Sequence, residues 1–170
     1  MALILEDGTG IVDSNSYEDE AGASAYLSNL LYVTPWTEAT VEDREKALIY
    51  GTSLINRLMS WKATKTSFAQ ALDFPRTGLY DKDGYLVESD EIPKRLKQAT
   101  AEMALSLIVE NRTAERSYGV EKIKVDVIEI QNSLTDEKPV IPESVMDLIK
   151  DYGVSQDRDV GIRSGIILRS

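Results

Sequence analysis

The chain has 170 residues and a net charge of −10, from 19 Lys+Arg against 29 Asp+Glu, with no histidine and no cysteine. Its length fits one domain of ordinary size, and 42% hydrophobic residues is enough for a packed core. Without histidine there is no Ser-His-Asp triad or imidazole acid-base pair; without cysteine there is no thiolate nucleophile, disulfide or iron-sulfur cluster; without either, the usual zinc sites cannot be built.

Residues 2–5 are apolar and read as a short extended segment that Asp7-Gly8 ends with a turn. Ser14, Asn15 and Ser16 offer capping oxygens ahead of a first helix near 18–30, with Tyr26, Leu27 and Leu30 on its apolar face and Pro35 in the loop after it. Thr40 opens a second helix over about 41–60. Glu42 and Asp43 lie in its first turn, and Ala47, Leu48, Gly51, Leu54, Ile55 and Leu58 form one buried stripe. Gly51 inside that stripe predicts close approach by another backbone.

Residues 61–91 form a long connection that Trp61 and Phe74 are expected to pack, together with Pro75, Arg76 and Gly78. Within it, Asp83-Gly84 between Leu79-Tyr80 and Tyr85-Leu86-Val87 predicts a small hairpin or a tight loop. Pro93 marks the first turn of a third helix over about 92–111, whose stripe is Ile92, Leu96, Ala99, Met103, Leu107 and Ile108. Residues 121–130 alternate in the manner of a strand. Ile123, Val125 and Val127 share one face, then the pattern slips to Ile128 and Ile130, as a bulge or bend produces. Pro142 starts a short fourth helix to about Tyr152, and residues 153–170 lack helical period. The expected fold is therefore mainly α: a small bundle of about four helices with a long aromatic-packed loop, an extended ribbon near 121–130 and an extended C-terminal tail. The domain plan is a helical body over 1–152 and a docking tail over 153–170.

Charge is unevenly spread. Residues 1–60 hold 3 basic and 10 acidic side chains, residues 61–119 hold 9 of each, residues 120–152 hold 4 and 8, and residues 153–170 hold 3 and 2. A broad phosphate-neutralising face is excluded, so nucleic acid would need a local basic patch. No run of 18 apolar residues exists to cross a membrane, and the N-terminus lacks the basic start of a secretory signal.

Motif by motif, the bland reading dominates. Asp81-Lys82-Asp83-Gly84 has Gly fourth, where a calcium loop needs it sixth, and Ile92 where the twelfth-position Glu belongs. Gly8-Thr9-Gly10 and Lys65-Thr66 lack phosphate-loop spacing. Lys94-Arg95-Lys97 reads as a solvated face pairing with Glu91 and Glu102, and Glu18-Asp19-Glu20 as a favourable helix start. No two of the 29 acids stand out as a hydrolase pair, so neither an enzyme nor a cofactor is expected. The ribbon (Ile123, Val125, Val127, Ile128, Ile130) and the apolar, basic tail (Ile162, Arg163, Ile166, Ile167, Leu168, Arg169) carry the strongest signal. Both lack an obvious local partner, which points to a component that orders on assembly. The competing reading pairs the ribbon with residues 2–5 or the hairpin and leaves the tail frayed.

Several segments together resemble a phage protein family: MALILEDGTGIVDSNSY at the start, Trp61-Lys62, Lys65-Thr66, Gln70-Ala71-Leu72, Phe74-Pro75-Arg76-Thr77-Gly78, Asp83-Gly84, Glu91-Ile92-Pro93 with the Ala-rich helix after it, and Ile141-Pro142. The resemblance covers nearly the whole chain to about residue 152. It is to tailed-phage head-tail adaptors (head completion or neck connector proteins), whose members are often labelled DnaT-like single-stranded-DNA-binding proteins. It implies a virion protein made in the host cytoplasm and placed at the head-tail junction. There it would form a homo-oligomeric ring, commonly of twelve copies, beneath the portal protein, facing tail, tail-terminator or neck proteins and letting DNA pass without specific binding. It also implies that the C-terminal tail docks on the portal; the more apolar ending, 161–170, departs from many relatives. A ring of such chains would be strongly acidic, and a channel lined by the first 60 residues would repel DNA instead of gripping it. The alternative is single-stranded DNA binding, which wants a basic groove with exposed aromatic platforms. Aromatics are only 7% of this acidic chain.

Overall fold

The computed structural model describes residues 2–114, 123–125, 128–130 and 139–156. In chain order these form α1 (Glu20–Leu27), α2 (Thr34–Glu38), α3 (Val41–Leu58), β1 (Met59–Trp61), β2 (Thr64–Lys65), β3 (Arg76–Thr77), α4 (Lys94–Val109), β4 (Ile123–Val125), β5 (Ile128–Ile130), α5 (Glu143–Ile149) and β6 (Gly153–Ser155). This is a mixed α/β fold, which corrects the expected four-helix bundle. Only α3 and α4 exceed ten residues, and they pack on each other as the spine. The rest of the core comes from short helices and from the irregular stretch between β1 and α4.

The long helices follow from their sequences. The Thr40 hydroxyl accepts from the Asp43 N–H at 3.1 Å, Glu42 and Asp43 sit at the positive helix end, and Ala47, Leu48, Gly51, Leu54 and Ile55 are buried. A Cβ on Gly51 would lie 3.3 Å from Met103 Cγ and 3.5 Å from the Ala104 nitrogen, so the missing side chain lets α4 come close. Pro93 precedes α4, which buries Leu96, Ala99, Met103 and Ala104, while Leu107 and Ile108 are only partly covered.

The first helix differs in its cap. Asp19 accepts from the Gly22 N–H at 2.7 Å, so α1 begins at Glu20. The three expected capping residues are used elsewhere: Ser14 donates to Glu6, the Asn15 amide brackets Ile4 and Ala2, and Ser16 bonds the Glu18 carbonyl. The loop assigned around Pro35 is instead α2. Proline fits its first turn, and Trp36 drops into the smaller core with Leu27, Leu48 and Ala101.

Three antiparallel two-stranded ribbons complete the described residues: β1 with β6, β2 with β3, and β4 with β5. Met59 faces Ser155 and Trp61 faces Gly153, and the Gln156 N–H reaches the Leu58 carbonyl. The stretch assigned to the tail therefore starts inside the folded body. The ribbon near 121–130 also has a local partner, because Ile123 pairs with Ile130 and Val125 with Ile128. The slip in its alternation is a reversal of the chain, so its backbone does not need a second subunit to be paired. Val127 and the tail residues Ile162, Arg163, Ile166, Ile167, Leu168 and Arg169 lie outside the described residues.

Candidate functional site

The stretch between β1 and α4 closes on itself around Phe74. Its ring is fully buried and meets Trp61 edge-on at 4.9 Å, Tyr17 at 6.1 Å and Tyr152 at 6.4 Å. Pro75 is buried beside it, joined by a cis peptide bond. Arg76 places its guanidinium over the same ring at 6.0 Å and donates to the carbonyls of Lys62 (2.7 Å), Ala63 (2.7 Å) and Asp73 (3.0 Å). At 9% exposure and with three carbonyls to hold, Arg76 staples the loop and is not placed to receive a phosphate. Gly78 is exposed at φ +81, with open space where a Cβ would be, so only the backbone conformation requires glycine there.

Two tyrosines tie this loop and the helices together. The Tyr17 hydroxyl accepts the Asp73 and Phe74 N–H groups and gives its own proton to Asn56 Oδ1. The Tyr26 hydroxyl donates to Glu102 at 2.7 Å, and burial first, then this carboxylate, lift its phenol from 10.0 to about 12. Burial pushes the Tyr17 phenol up as well. The folded chain therefore keeps protons that the unfolded chain releases near pH 10. This stabilisation is complete below pH 10 and is lost as pH climbs toward the folded values. The urea midpoint should hold up to about pH 10 and fall from there to about pH 12, and the fall should be shallower in Tyr26→Phe. A midpoint unchanged through that window would refute the assignment.

The described surface includes three concave regions. The first, about 300 Å³, lies between the 79–87 hairpin and the start of α4. The hairpin is formed as its sequence predicts, with Tyr80 bridged to Leu86 and Gly84 at φ +84. Asp81 Oδ1 is occupied by the Asp83 and Tyr85 N–H groups, which is a turn and not a calcium loop. Lys82, Lys94 and Arg95 line this cleft, but so do Asp81, Asp83, Glu88 and Glu91. Arg95 pairs with Asp151 at 3.1 Å, not with the expected Glu91, while Glu102 belongs to Tyr26. The second region, about 540 Å³, runs between α3 and α4 past Ala47, Tyr50, Leu107 and Ile108, with Asp43 and Lys46 at its rim.

The third, about 390 Å³, lies beside the last turns of α3 and is lined by Asn15, Ile49, Ser53, Asn56, Arg57 and Leu72, with no carboxylate among its lining residues. Arg57 makes no ion pair among the described residues. The 66–72 loop reaches the same cleft through Ala71 and Leu72, and its Phe68 ring is fully exposed. Arg57, Asn56 and Phe68 were not apparent as a group from sequence. The available signal was Phe68 itself, an isolated ring among Thr66, Ser67, Ala69 and Gln70 with no apolar period to bury it.

These features define a small α/β domain built on a helix pair, with clefts of mixed polarity at its surface. The chain belongs to the family described as "Putative DnaT-like ssDNA binding protein", whose model matches residues 1–165. The match supports the DnaT-like half of the resemblance, and nothing in it concerns a head-tail adaptor. No curated protein and no solved structure matches the chain.

Proposed function

We propose that this chain binds single-stranded DNA through a confined patch. Family membership over residues 1–165 carries this reading. The net charge of −10 sets its form: a broad electrostatic groove is excluded, so contact must come from a few cations and exposed rings in a place free of competing carboxylates. Each single-strand phosphate contacted contributes about −0.7 to the slope of log affinity against log salt. A fluorescently labelled oligothymidylate should therefore bind at low ionic strength with a shallow slope, corresponding to about two or three phosphates. Absence of any shift in anisotropy or gel mobility at low salt would sink the reading, and a steep slope would sink the confined patch.

A second reading is a ring-forming adaptor at a phage head-tail junction, which would draw on exposed apolar side chains such as Leu31 and Tyr32 for its subunit contacts. In it, about twelve copies would meet the portal protein through the tail residues from Ile162 to Arg169. Because β6 ends at Ser155 and Gln156 is bonded to Leu58, the informative truncation starts at residue 157, not 153. The chain lacking 157–170 should keep the wild-type urea midpoint and lose co-sedimentation with portal. Retained co-sedimentation would remove the tail from the interface.

A further inference from the structure

The cleft beside the end of α3 has the parts of a nucleotide site. Among the three clefts described above it alone combines a cation with a lining free of carboxylates. Arg57 is exposed and has no ion pair or hydrogen bond among the described residues; it lies on the last turn of α3, with Ser53 one turn before it. A guanidinium in that state keeps its full fork of donors for an anion.

Asn56 is oriented by the core behind it. The Tyr17 hydroxyl already accepts two backbone N–H groups, so its single proton must go to Asn56, and the atom facing it must be the amide oxygen. The N–H donors of Asn56 are thereby left for the cleft it lines. Its other amide, Asn15, is spent: it accepts from the Ile4 N–H and donates to the Ala2 carbonyl.

The loop that lines the cleft through Ala71 and Leu72 also carries an exposed aromatic, Phe68, and is firmly held. Gln70 is 4% exposed; its amide donates to the Leu72 and Pro75 carbonyls at 3.0 Å each, and its oxygen accepts the Ser67 N–H at 2.8 Å. The Ala71 N–H also bonds the Ile11 carbonyl. Phe68 is exposed in this anchored loop, three residues before Ala71, which lines the cleft. A phenylalanine fully in water on a braced loop has no packing role, and a base is the partner a sequence-tolerant ring takes.

We propose that this cleft binds one nucleotide unit, with its phosphate on Arg57, its polar edge on the Asn56 amide and its base stacked on Phe68. The assignment rests on the single-strand reading above and names the site for it. The same chemistry comes from a free nucleotide or from a strand, so both are tested. Anisotropy of labelled oligothymidylate is measured on the full chain, with thymidine monophosphate as competitor, for wild type, Arg57→Ala, Phe68→Ala and, as a control in the hairpin cleft, Lys82→Ala. Because all three side chains are exposed, the variants should keep the wild-type urea midpoint. Arg57→Ala and Phe68→Ala should each weaken strand binding about tenfold or more, and Arg57→Ala should also lower the salt slope by about 0.7. Lys82→Ala should bind as wild type. Competition by the monophosphate supports a site for the nucleotide unit in either form; strand binding without competition supports the strand as its source. If wild type binds the strand and both variants bind equally well, this site is wrong and the single-strand reading stands. If wild type binds neither probe, both fall.

Discussion

Phe74→Ala should be the most destabilising single truncation in this chain, at about 3–5 kcal/mol by urea denaturation. The ring is the centre of the larger core. It touches Trp61, Tyr17 and Tyr152, lies under the Arg76 guanidinium, and shares its cluster with Leu54, Leu79, Leu96 and Ile149. Its removal opens a cavity that α3 and α4 cannot collapse into, because β1, β6 and the Arg76 bonds to Lys62, Ala63 and Asp73 hold the loop at its present distance. A small domain has about 5–15 kcal/mol in total, so roughly a fifth of its stability or more is at stake. The only other phenylalanine supplies the control. Phe68 is fully exposed, and Phe68→Ala should move the midpoint by no more than about 0.5 kcal/mol. A loss below about 1 kcal/mol for Phe74→Ala would mean that the loop is held by its hydrogen bonds alone.

Those two phenylalanines also mark what could be read in advance. Periodicity located α3 and α4 and most of their buried residues, because a 3.6-residue stripe is a local property that tertiary context merely completes. Asp83-Gly84 likewise gave the hairpin, since the left-handed φ at Gly84 is required by two adjacent residues. The shape of the whole was not legible. A part of the larger core is built from Leu72, Phe74, Leu79 and Tyr152, which follow no period and are brought together by Arg76 and Tyr17 across distant segments. The α2 helix escaped because five residues give too little pattern beside a proline. The local pairing of the ribbon was not legible because a slip in alternation looks alike whether the strand bulges or turns back, and only the pairing of Val125 with Ile128 separates the two. The Arg57 cleft is a matter of which cations remain unpaired after folding, which depends on where every carboxylate goes.

Glu6 is the clearest case of that last kind, and replacing it should loosen the N-terminal loop without touching either core. Nothing in the sequence separates it from the other 28 acids, yet it is fully buried. Its Oε1 accepts the Gly8 N–H at 3.1 Å and the Gly10 N–H at 2.8 Å; its Oε2 accepts the Ile11 N–H at 2.9 Å and the Ser14 hydroxyl at 2.8 Å. The chain can wrap one carboxylate this tightly because Gly8 and Gly10 take φ of +107 and +78, and a Cβ on Gly8 would fall 2.0 Å from the Asp90 carbonyl oxygen. Glu6→Ala leaves these donors without their acceptor. At roughly 1–3 kcal/mol for each fully buried group, reduced because Gly10 and Ile11 are only partly covered, the expected loss is about 2–4 kcal/mol. Glu6→Gln keeps one acceptor oxygen but turns an amide NH₂ toward remaining donors, so it should cost less than Ala, about 1–3 kcal/mol. Native-state hydrogen exchange locates the effect: the Gly8, Gly10 and Ile11 amides should lose protection in both variants, while those of α4 follow only the global change. The same loop carries Ser14 and Asn15 into the Arg57 cleft, and its Ile11 carbonyl holds Ala71 on the loop that carries Phe68. Strand affinity should therefore fall in Glu6→Ala even where the protein is still folded, by loss of positioning and not of charge. Unchanged protection of the three amides would show that contacts at Asp90 hold the loop without the carboxylate.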